Sequence, residues 1–189
     1  EMNLQRKNTN LRNLSILHSG NLNYPRDPEP LLKALALFVH ESPDAQLKVY
    51  FQGVLPDKLK KLIIQLDLVK WVKIFPAISY KESIEQLSDY NVALIIEAPC
   101  AEGVFLPTKV SDYMQAGKTI WAISPSQGVL HDLYNNGNIG YFADCQDEKN
   151  ILNELELIYK DFSFGELRKS KTPVEYTPEY IESIFCNII

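Results

Sequence analysis

Two segments of the chain combine positively charged side chains with a glycine turn or a helix start. Arg26 lies in residues 20–28, which open with a glycine, while Lys109 and Asp112 lie near the end of residues 98–113. An arginine can bind a phosphate group through two parallel hydrogen bonds, and a lysine adds a mobile positive charge. A carboxylate such as that of Asp112 can accept hydrogen bonds from two neighbouring hydroxyl groups. These residue types favour a phosphorylated ligand that also carries hydroxyls.

Arg26 and Asp112 each have a second interpretation from the sequence alone. Arg26 could pair on the surface with Asp27 or Glu29. Asp112 could be an acidic residue in the first turn of a helix, where it would complement the helix dipole. A third segment, residues 124–128, has small hydroxyl residues and a glycine that let a ligand come close, but such segments are also common connectors. The sequence leaves these alternatives open.

Several kinds of catalytic or metal-binding site have no signature in the sequence. The chain has no G-x-G-x-x-G fingerprint, no P-loop and no Ser-His-Asp arrangement. The histidines lack the spacing of metal ligands and are expected at the surface or in packing; they are His18, His40 and His131. The cysteines form no C-x-x-C pair and are expected to be reduced thiols of a cytoplasmic protein; they are Cys100, Cys145 and Cys186.

Composition and charge limit the function classes further. Hydrophobic residues make up 46% of the 189 residues and charged residues 23%, as in soluble globular proteins. No apolar run approaches the ~20 residues that would cross a bilayer. The net charge of −5 argues against nucleic-acid binding, and the basic cluster Lys58, Lys60 and Lys61 fits the solvated face of a helix. We therefore expect a soluble domain without a nucleic-acid partner.

Short apolar runs alternate with amphipathic stretches along most of the chain. The predicted strands are residues 14–20, 47–51, 69–75, 91–96, 119–123 and 140–143. The predicted helices begin near Pro28, Pro56, Ser79, Lys109, Leu130 and Asp147. This alternation is typical of an α/β fold, a Rossmann-like parallel sheet of about six strands with helices on both faces. Ligands of such sheets bind beyond the carboxyl ends of the strands, where the three polar segments are expected.

The Rossmann-like domain is predicted to span residues 14–160. Residues 1–13 are polar and are interpreted as a linker or the edge of a longer protein. Residues 161–189 are predicted to form a pair of short helices that pack across the domain or towards a second domain. Their polar background carries five aromatic residues, which are Phe162, Phe164, Tyr176, Tyr180 and Phe185.

The order of these segments resembles that of a known enzyme family. The resemblance rests on GNLNYPRDPEPLLKAL, FQG, EGVFLPTKVSDYMQAGKTIWAIS and NNGNIGYFADCQDEKNI, and it extends over residues 14–160. Its most specific part, PTKVSDYMQAGKTIWA, is similar to a P-x-K-x-x-E-Y-x-x-x-G-K-P-x-x-A pattern. These segments resemble the C-terminal domain of GT-B glycosyltransferases of family 4, which use a nucleotide sugar and retain the anomeric configuration.

The resemblance implies roles for individual residues. The residues implied in catalysis are Arg26, Lys109 and Glu102. Those implied in holding the nucleotide sugar are Gly20, Asn21, Arg26, Phe75, Phe105, Leu106, Pro107, Lys109 and Asp112. In this scheme Arg26 contacts the diphosphate, Asp112 holds the ribose, and the turn that begins at Phe75 frames the nucleobase.

The sequence departs from the family pattern at two places. Asn21 stands where many members have a second basic residue. Val104 stands at the place of the first glutamate of an E-x7-E motif, and Glu102 lies two residues before it. These departures leave one phosphate contact and one contact near the donor sugar without their usual side chains.

The resemblance also implies an activity and its partners. It implies the donor half of a bacterial enzyme of polysaccharide biosynthesis that uses a UDP- or GDP-linked sugar and no metal ion or other cofactor. An N-terminal domain would hold the acceptor, and any peripheral membrane association would go through that domain. Alone, the chain is expected to bind nucleotide weakly and to be inactive. Two alternatives stay open: half of a UDP-sugar epimerase, or a non-catalytic nucleotide-binding or interaction domain.

Overall fold

Six strands form one parallel sheet. The computed structural model describes residues 13–186, with the side chains of Pro178, Ile181 and Phe185 left aside, so nearly all of the predicted linker lies outside the described residues. The strands are β1 (Leu14–Ser19), β2 (Leu47–Gln52), β3 (Val72–Phe75), β4 (Val92–Ile96), β5 (Thr119–Ser124) and β6 (Tyr141–Asp144). Their order is β3-β2-β1-β4-β5-β6, and every neighbouring pair is parallel. The order reverses between β1 and β4, where such sheets open a crevice.

Helices cover both faces of the sheet. They are α1 (Glu29–Glu41), α2 (Asp57–Gln65), α3 (Tyr80–Gln86), α4 (Thr108–Gln115), α5 (Val129–Asn135), α6 (Glu148–Phe164) and α7 (Pro178–Cys186). Buried residues of α1, α2 and α6 form one apolar cluster with the sheet, and those of α4 and α5 form another on the opposite face. Because helices cover both sides, every residue of β4 and β5 is buried, which explains their continuous apolar sequences. The predicted fold class is confirmed.

Local sequence signals set the start and end of several helices. Ser79 and Glu82 form a reciprocal capping box at the start of α3, in which the Ser79 N–H donates to Glu82 Oε2 at 2.9 Å. Asp147 Oδ1 accepts the Asn150 N–H at the start of α6. Gly117, at a φ of 60°, follows the end of α4 in the left-handed conformation that a glycine adopts without strain.

Two elements differ in extent from their predictions. The strand β3 begins at Val72 instead of residue 69, because the N–H groups of Trp71 and Val72 both donate to the Leu68 carbonyl in a turn. The last long helix, α6, runs on to Phe164 and ends at Gly165, whose φ is 73°. The boundary predicted after residue 160 therefore falls inside a helix.

The segment after α6 runs along the edge of the sheet where the strands begin. Ser170 donates its N–H to the Lys118 carbonyl, and its Oγ accepts the Ile120 N–H at 3.1 Å. Arg168 lies over the Tyr141 ring and pairs with Asp161 at 3.3 Å. A short 3₁₀ turn and α7 follow, which corresponds to the two short helices predicted here. Of the aromatic residues predicted for this tail, Phe162 packs against the core and Phe164 is exposed.

Two loops beyond the carboxyl ends of the strands are held together by a backbone bridge. Gly103 and Gly128 pair in parallel, with the Gly103 N–H donating to Gln127 and the Val129 N–H donating to Gly103. Gly128 has a φ of 114°, and a Cβ atom on it would overlap the Gly103 carbonyl. The third polar segment, residues 124–128, thus supports the loop that leads into α4.

We predict that Gly128→Ala lowers the free energy of unfolding by at least ~2 kcal/mol, because it combines a strained φ with a backbone clash. Gly137→Ala is the matched control, since Gly137 also has a positive φ, 73°, but open space around it. Its cost should be confined to the left-handed conformation, about 1 kcal/mol. Urea denaturation of both variants measures the difference. Equal losses would contradict a tight bridge at Gly103.

Candidate functional site

Three cavities follow one another along the edge of the sheet where the strands end. The Arg26 cavity, of about 130 Å³, includes in its lining His18, Asn21, Arg26, Glu97, Pro107, Thr108 and Lys109. The Asp112 cavity, of about 310 Å³, includes Gly20, Gln52, Ile78, Tyr80, Thr108, Lys109 and Asp112. The Phe75 cavity, of about 390 Å³, includes Gln52, Phe75, Ile78 and Tyr90. Each adjoining pair shares lining residues, so the three form a groove.

A larger cavity of about 660 Å³ lies elsewhere, between α1 and the segment that joins α2 to β3. Apolar side chains such as Leu37 and Leu66 line it together with Trp71. None of the predicted site residues lies there. Size alone therefore does not identify the site, and the convergence of charged side chains favours the groove.

Arg26 extends over the first cavity and pairs with a residue of the neighbouring loop. Its Nη2 lies 3.4 Å from Glu97 Oε1 and 3.5 Å from Oε2. The alternative in which Arg26 pairs with Asp27 or Glu29 is wrong, because its ion pair is with Glu97, while Lys58 pairs with those two carboxylates. Glu97 is the first residue after β4, so this ion pair crosses the switch point between β1 and β4.

Lys109 brings a second positive charge to the same place from the start of α4. Its ammonium group lies directly over Gly20, where a Cβ atom would collide with Nζ. Burial lowers the pKa of Lys109, and the charge of Arg26 lowers it further, while Glu97 raises it. Among the residues that line the Arg26 cavity, Glu97 is the single acidic one, so one carboxylate faces two cations.

The backbone at the start of α4 adds to this positive potential. Pro107 precedes the helix without a side-chain cap, and the first turn has no acidic residue. The first N–H groups of a helix have no partner within the helix and carry its positive dipole end. Asp112 is the fifth residue of α4, which makes its interpretation as a first-turn acid wrong. The arrangement can bind an anion in the Arg26 cavity.

Asp112 projects into the middle cavity instead. The hydroxyl of Tyr80 donates to its Oδ1 at 2.8 Å. The two residues come from different helices: Tyr80 is the first residue of α3, and Asp112 lies in the middle of α4. A carboxylate here can accept hydrogen bonds from hydroxyls of a ligand that also reaches the Arg26 cavity.

Asn21 and Gly20 shape the floor between the first two strands. Asn21 Oδ1 accepts the Val54 N–H at 2.9 Å and so ties the loop after β1 to the loop after β2. The two loops approach closely because Gly53, with a φ of 137°, lies against the Gly20 carbonyl. Asn21, which stands where many family members have a basic residue, therefore has a structural role: it links the loops after β1 and β2.

His18 lies buried at the base of the Arg26 cavity. The ladder between β1 and β4 pairs Ile16 with Val92 and Leu17 with Ala93. Beyond it, His18 Nδ1 lies 3.2 Å from the Leu94 carbonyl oxygen. Because a carbonyl can only accept, Nδ1 carries the proton, and Nε2 is an acceptor without a partner among the described residues. Burial lowers the pKa of His18 to about 3, with a further lowering by the charge of Lys109.

The structure does not bring every predicted residue to the groove. Glu102 is exposed and lies outside the lining of all three cavities. Phe105 is 82% exposed and also lies outside them, while Leu106 packs against the apolar cluster under α4. Pro107 lines the Arg26 cavity, and Phe75 lines the third cavity with its ring stacked on Tyr50.

Several residues of the groove were not assigned to the site from the sequence, among them Glu97 and His18. Glu97 had a usable signal, because it is the first polar residue after the apolar strand β4 and so lies at the ligand-binding edge. His18 interrupts an apolar strand, which is a weaker signal. Tyr80 ends the segment, residues 75–80, that was expected to frame the nucleobase, but its contact with Asp112 could not be predicted because it joins residues 32 positions apart.

Within residues 13–186, no three or more histidine, cysteine, aspartate or glutamate side chains cluster in a way that could hold a metal ion. None of the helices in this part of the chain has the length and apolar character needed to cross a membrane.

Comparison with known proteins gives the fold. No protein-family model and no curated protein matches the chain. Sucrose-phosphate synthase from Thermosynechococcus elongatus is similar in structure, with a TM-score of 0.64 and 17% identity over 83% of this chain and 39% of that one. TarM of S. aureus, solved in complex with fondaparinux, α-GlcNAc-glycerol and UDP, has a TM-score of 0.60 and 16% identity over 92% of this chain and 35% of that one.

A third structure is closer to the chain in length. The C-terminal domain of the glycosyl transferase group 1 family protein LpcC from Francisella tularensis has a TM-score of 0.61 and 14% identity, over 82% of this chain and 79% of that one. The chain spans 39% and 35% of the two longer proteins. It therefore has the Rossmann-like fold of one half of a GT-B glycosyltransferase.

We predict that His18 makes folding sensitive to acid. Its folded pKa of about 3 lies below the ordinary value of 6.5, so the unfolded chain binds more protons as the pH falls below 6.5. Stability from the neutral ring is complete above pH 6.5 and is lost towards pH 3. At pH 5 this loss amounts to about 2 kcal/mol.

Urea denaturation between pH 7 and pH 5 measures this effect against His18→Asn, whose amide can still donate to Leu94 but does not titrate. The wild type should lose about 2 kcal/mol more than this variant over the range. His40→Gln, a change at an exposed histidine, should follow the wild type. The same pH dependence in the wild type and His18→Asn would contradict a buried neutral ring.

Proposed function

We propose that the chain is the donor-binding, C-terminal half of a retaining family 4 glycosyltransferase, which transfers a sugar from a nucleotide sugar to a glycan or other acceptor. The observation that carries the proposal is the meeting of Arg26, Lys109 and the start of α4 around one cavity. Two cations and a helix N-terminus face a single carboxylate there. A diphosphate has the charge and size to occupy such a position.

The order of the three cavities supports a nucleoside diphosphate as the ligand. The Arg26 cavity offers positive charge, the Asp112 cavity offers a carboxylate for hydroxyls, and the Phe75 cavity offers aromatic and apolar surface. A nucleoside diphosphate presents diphosphate, ribose and base in this same order. Gln52 and Ile78 lie between the second and third cavities, where the sugar joins the base in this scheme.

The chemistry we assign to the chain is electrostatic. When the glycosidic bond to the nucleotide breaks, negative charge grows on the departing diphosphate. Arg26, Lys109 and the N–H groups of α4 would stabilise that charge, since they are held in place before the reaction. We assign this stabilisation to protein groups, without a metal ion. The acceptor would come from a second domain, as the similarity to only part of the longer glycosyltransferases supports.

Calorimetry with UDP, GDP and ADP tests the proposal. One of the three should bind, and Arg26→Ala should weaken its binding by about 10- to 100-fold, because it removes a charged hydrogen-bond donor. The corresponding nucleoside should lose much less affinity. Lys60→Ala is the matched control, since it removes an exposed positive charge outside the groove.

Two outcomes would contradict the proposal. If the folded chain bound none of the three nucleotides, a non-catalytic interaction domain would be favoured. If Arg26→Ala weakened nucleoside and nucleoside diphosphate equally, Arg26 would not be a diphosphate contact.

A further inference from the structure

The Tyr80–Asp112 hydrogen bond joins α3 to α4 across the middle of the groove. Tyr80 is 68% exposed, yet its hydroxyl lies 2.8 Å from Asp112 Oδ1. Both side chains line the Asp112 cavity. An exposed tyrosine gains little from packing, so the direction of its hydroxyl is set by this one polar contact.

The start of α3 holds Tyr80 in place for this contact. Tyr80 is the first residue of the helix and directly follows the Ser79 of the capping box. Glu82 Oε2 accepts hydrogen bonds from both the N–H and the hydroxyl of Ser79, at 2.9 and 2.7 Å. The Tyr80 carbonyl accepts the Ser83 hydroxyl at 2.7 Å. The tyrosine therefore projects from a fixed backbone.

The hydrogen bond from Tyr80 restricts the orientation of the Asp112 carboxylate and leaves it able to accept further hydrogen bonds. A carboxylate oxygen has two lone pairs, so Oδ1 can accept a second hydrogen bond while Oδ2 accepts another. Without Tyr80, the carboxylate plane could turn freely about its last side-chain torsion, which is broad for aspartate. The hydrogen bond to Asp112 also raises the pKa of Tyr80, and the hydroxyl is the donor because an ionised carboxylate can only accept.

We propose that Tyr80 is a positioning residue that fixes the Asp112 carboxylate for the two hydroxyls of the nucleotide ribose, and thereby sets the preference for ribonucleotides over 2′-deoxyribonucleotides. The inference rests on the proposed function, because it assigns the ribose to the Asp112 cavity. A vicinal diol needs two acceptor lone pairs at a fixed spacing. A ligand with one hydroxyl accepts a wider range of carboxylate orientations and gains less from a fixed one.

Calorimetry with whichever of UDP, GDP and ADP binds, and with its 2′-deoxy form, tests the inference. Tyr80→Phe removes the hydroxyl and keeps the ring. It should weaken the ribonucleotide by about 3- to 10-fold and the deoxynucleotide by much less, so that the ratio of the two dissociation constants approaches one. In the Asp112→Asn background, Tyr80→Phe should have no further effect, because the positioned group is already changed.

Tyr176→Phe, a change at a tyrosine after α6 and outside the groove, is the matched control and should leave both affinities unchanged. If the wild type prefers the ribonucleotide and Tyr80→Phe retains that preference, Tyr80 has no positioning role. Equal weakening of both nucleotides would assign Tyr80 to the base or the phosphates and overturn the inference. Either result leaves the proposed function standing, whereas failure of the wild type to bind any nucleotide contradicts both.

Discussion

Positive charge held at the start of α4 is the constraint around which the groove is arranged. Lys109 lies partly buried beside Arg26, and both loss of water and like-charge repulsion oppose its protonated form. Glu97 offsets part of this repulsion through its contact with Arg26. An uncapped helix N-terminus adds potential of the same sign. A bound anion would attract Arg26, Lys109 and the helix N-terminus and so offset the loss of water and the repulsion between them. We therefore place the diphosphate here.

The backbone around this charge is shaped to let the loops meet. At Gly20 the absence of a side chain leaves room for the Lys109 ammonium, and at Gly53 it lets the loops after β1 and β2 touch. The Gly103–Gly128 bridge holds the loop that leads into α4. The paired residues of β1 and β4 end at Leu17 and Ala93, and beyond them the His18 side chain bonds to the Leu94 carbonyl. The crevice thus follows from where the ladder stops and where glycines permit close approach.

Much of the fold could be predicted from the sequence, because each strand is an apolar run with a helix signal after it. Arg26, Lys109 and Asp112 could be placed at one edge, since parallel strands bring their carboxyl ends together. The side-chain pairs could not be predicted, because Arg26–Glu97 joins residues 71 positions apart and Tyr80–Asp112 joins residues 32 positions apart. The family pattern failed to place Glu102 and Phe105 at the groove, since the loop between β4 and α4 turns these side chains outward.

A crystal structure of the chain with a bound nucleoside diphosphate tests the central claim most directly. The account predicts phosphate oxygens within hydrogen-bonding distance of Arg26 and of the first N–H groups of α4, with the ribose hydroxyls at Asp112. A nucleotide whose phosphates lie away from the start of α4, with its ribose outside the Asp112 cavity, would contradict it.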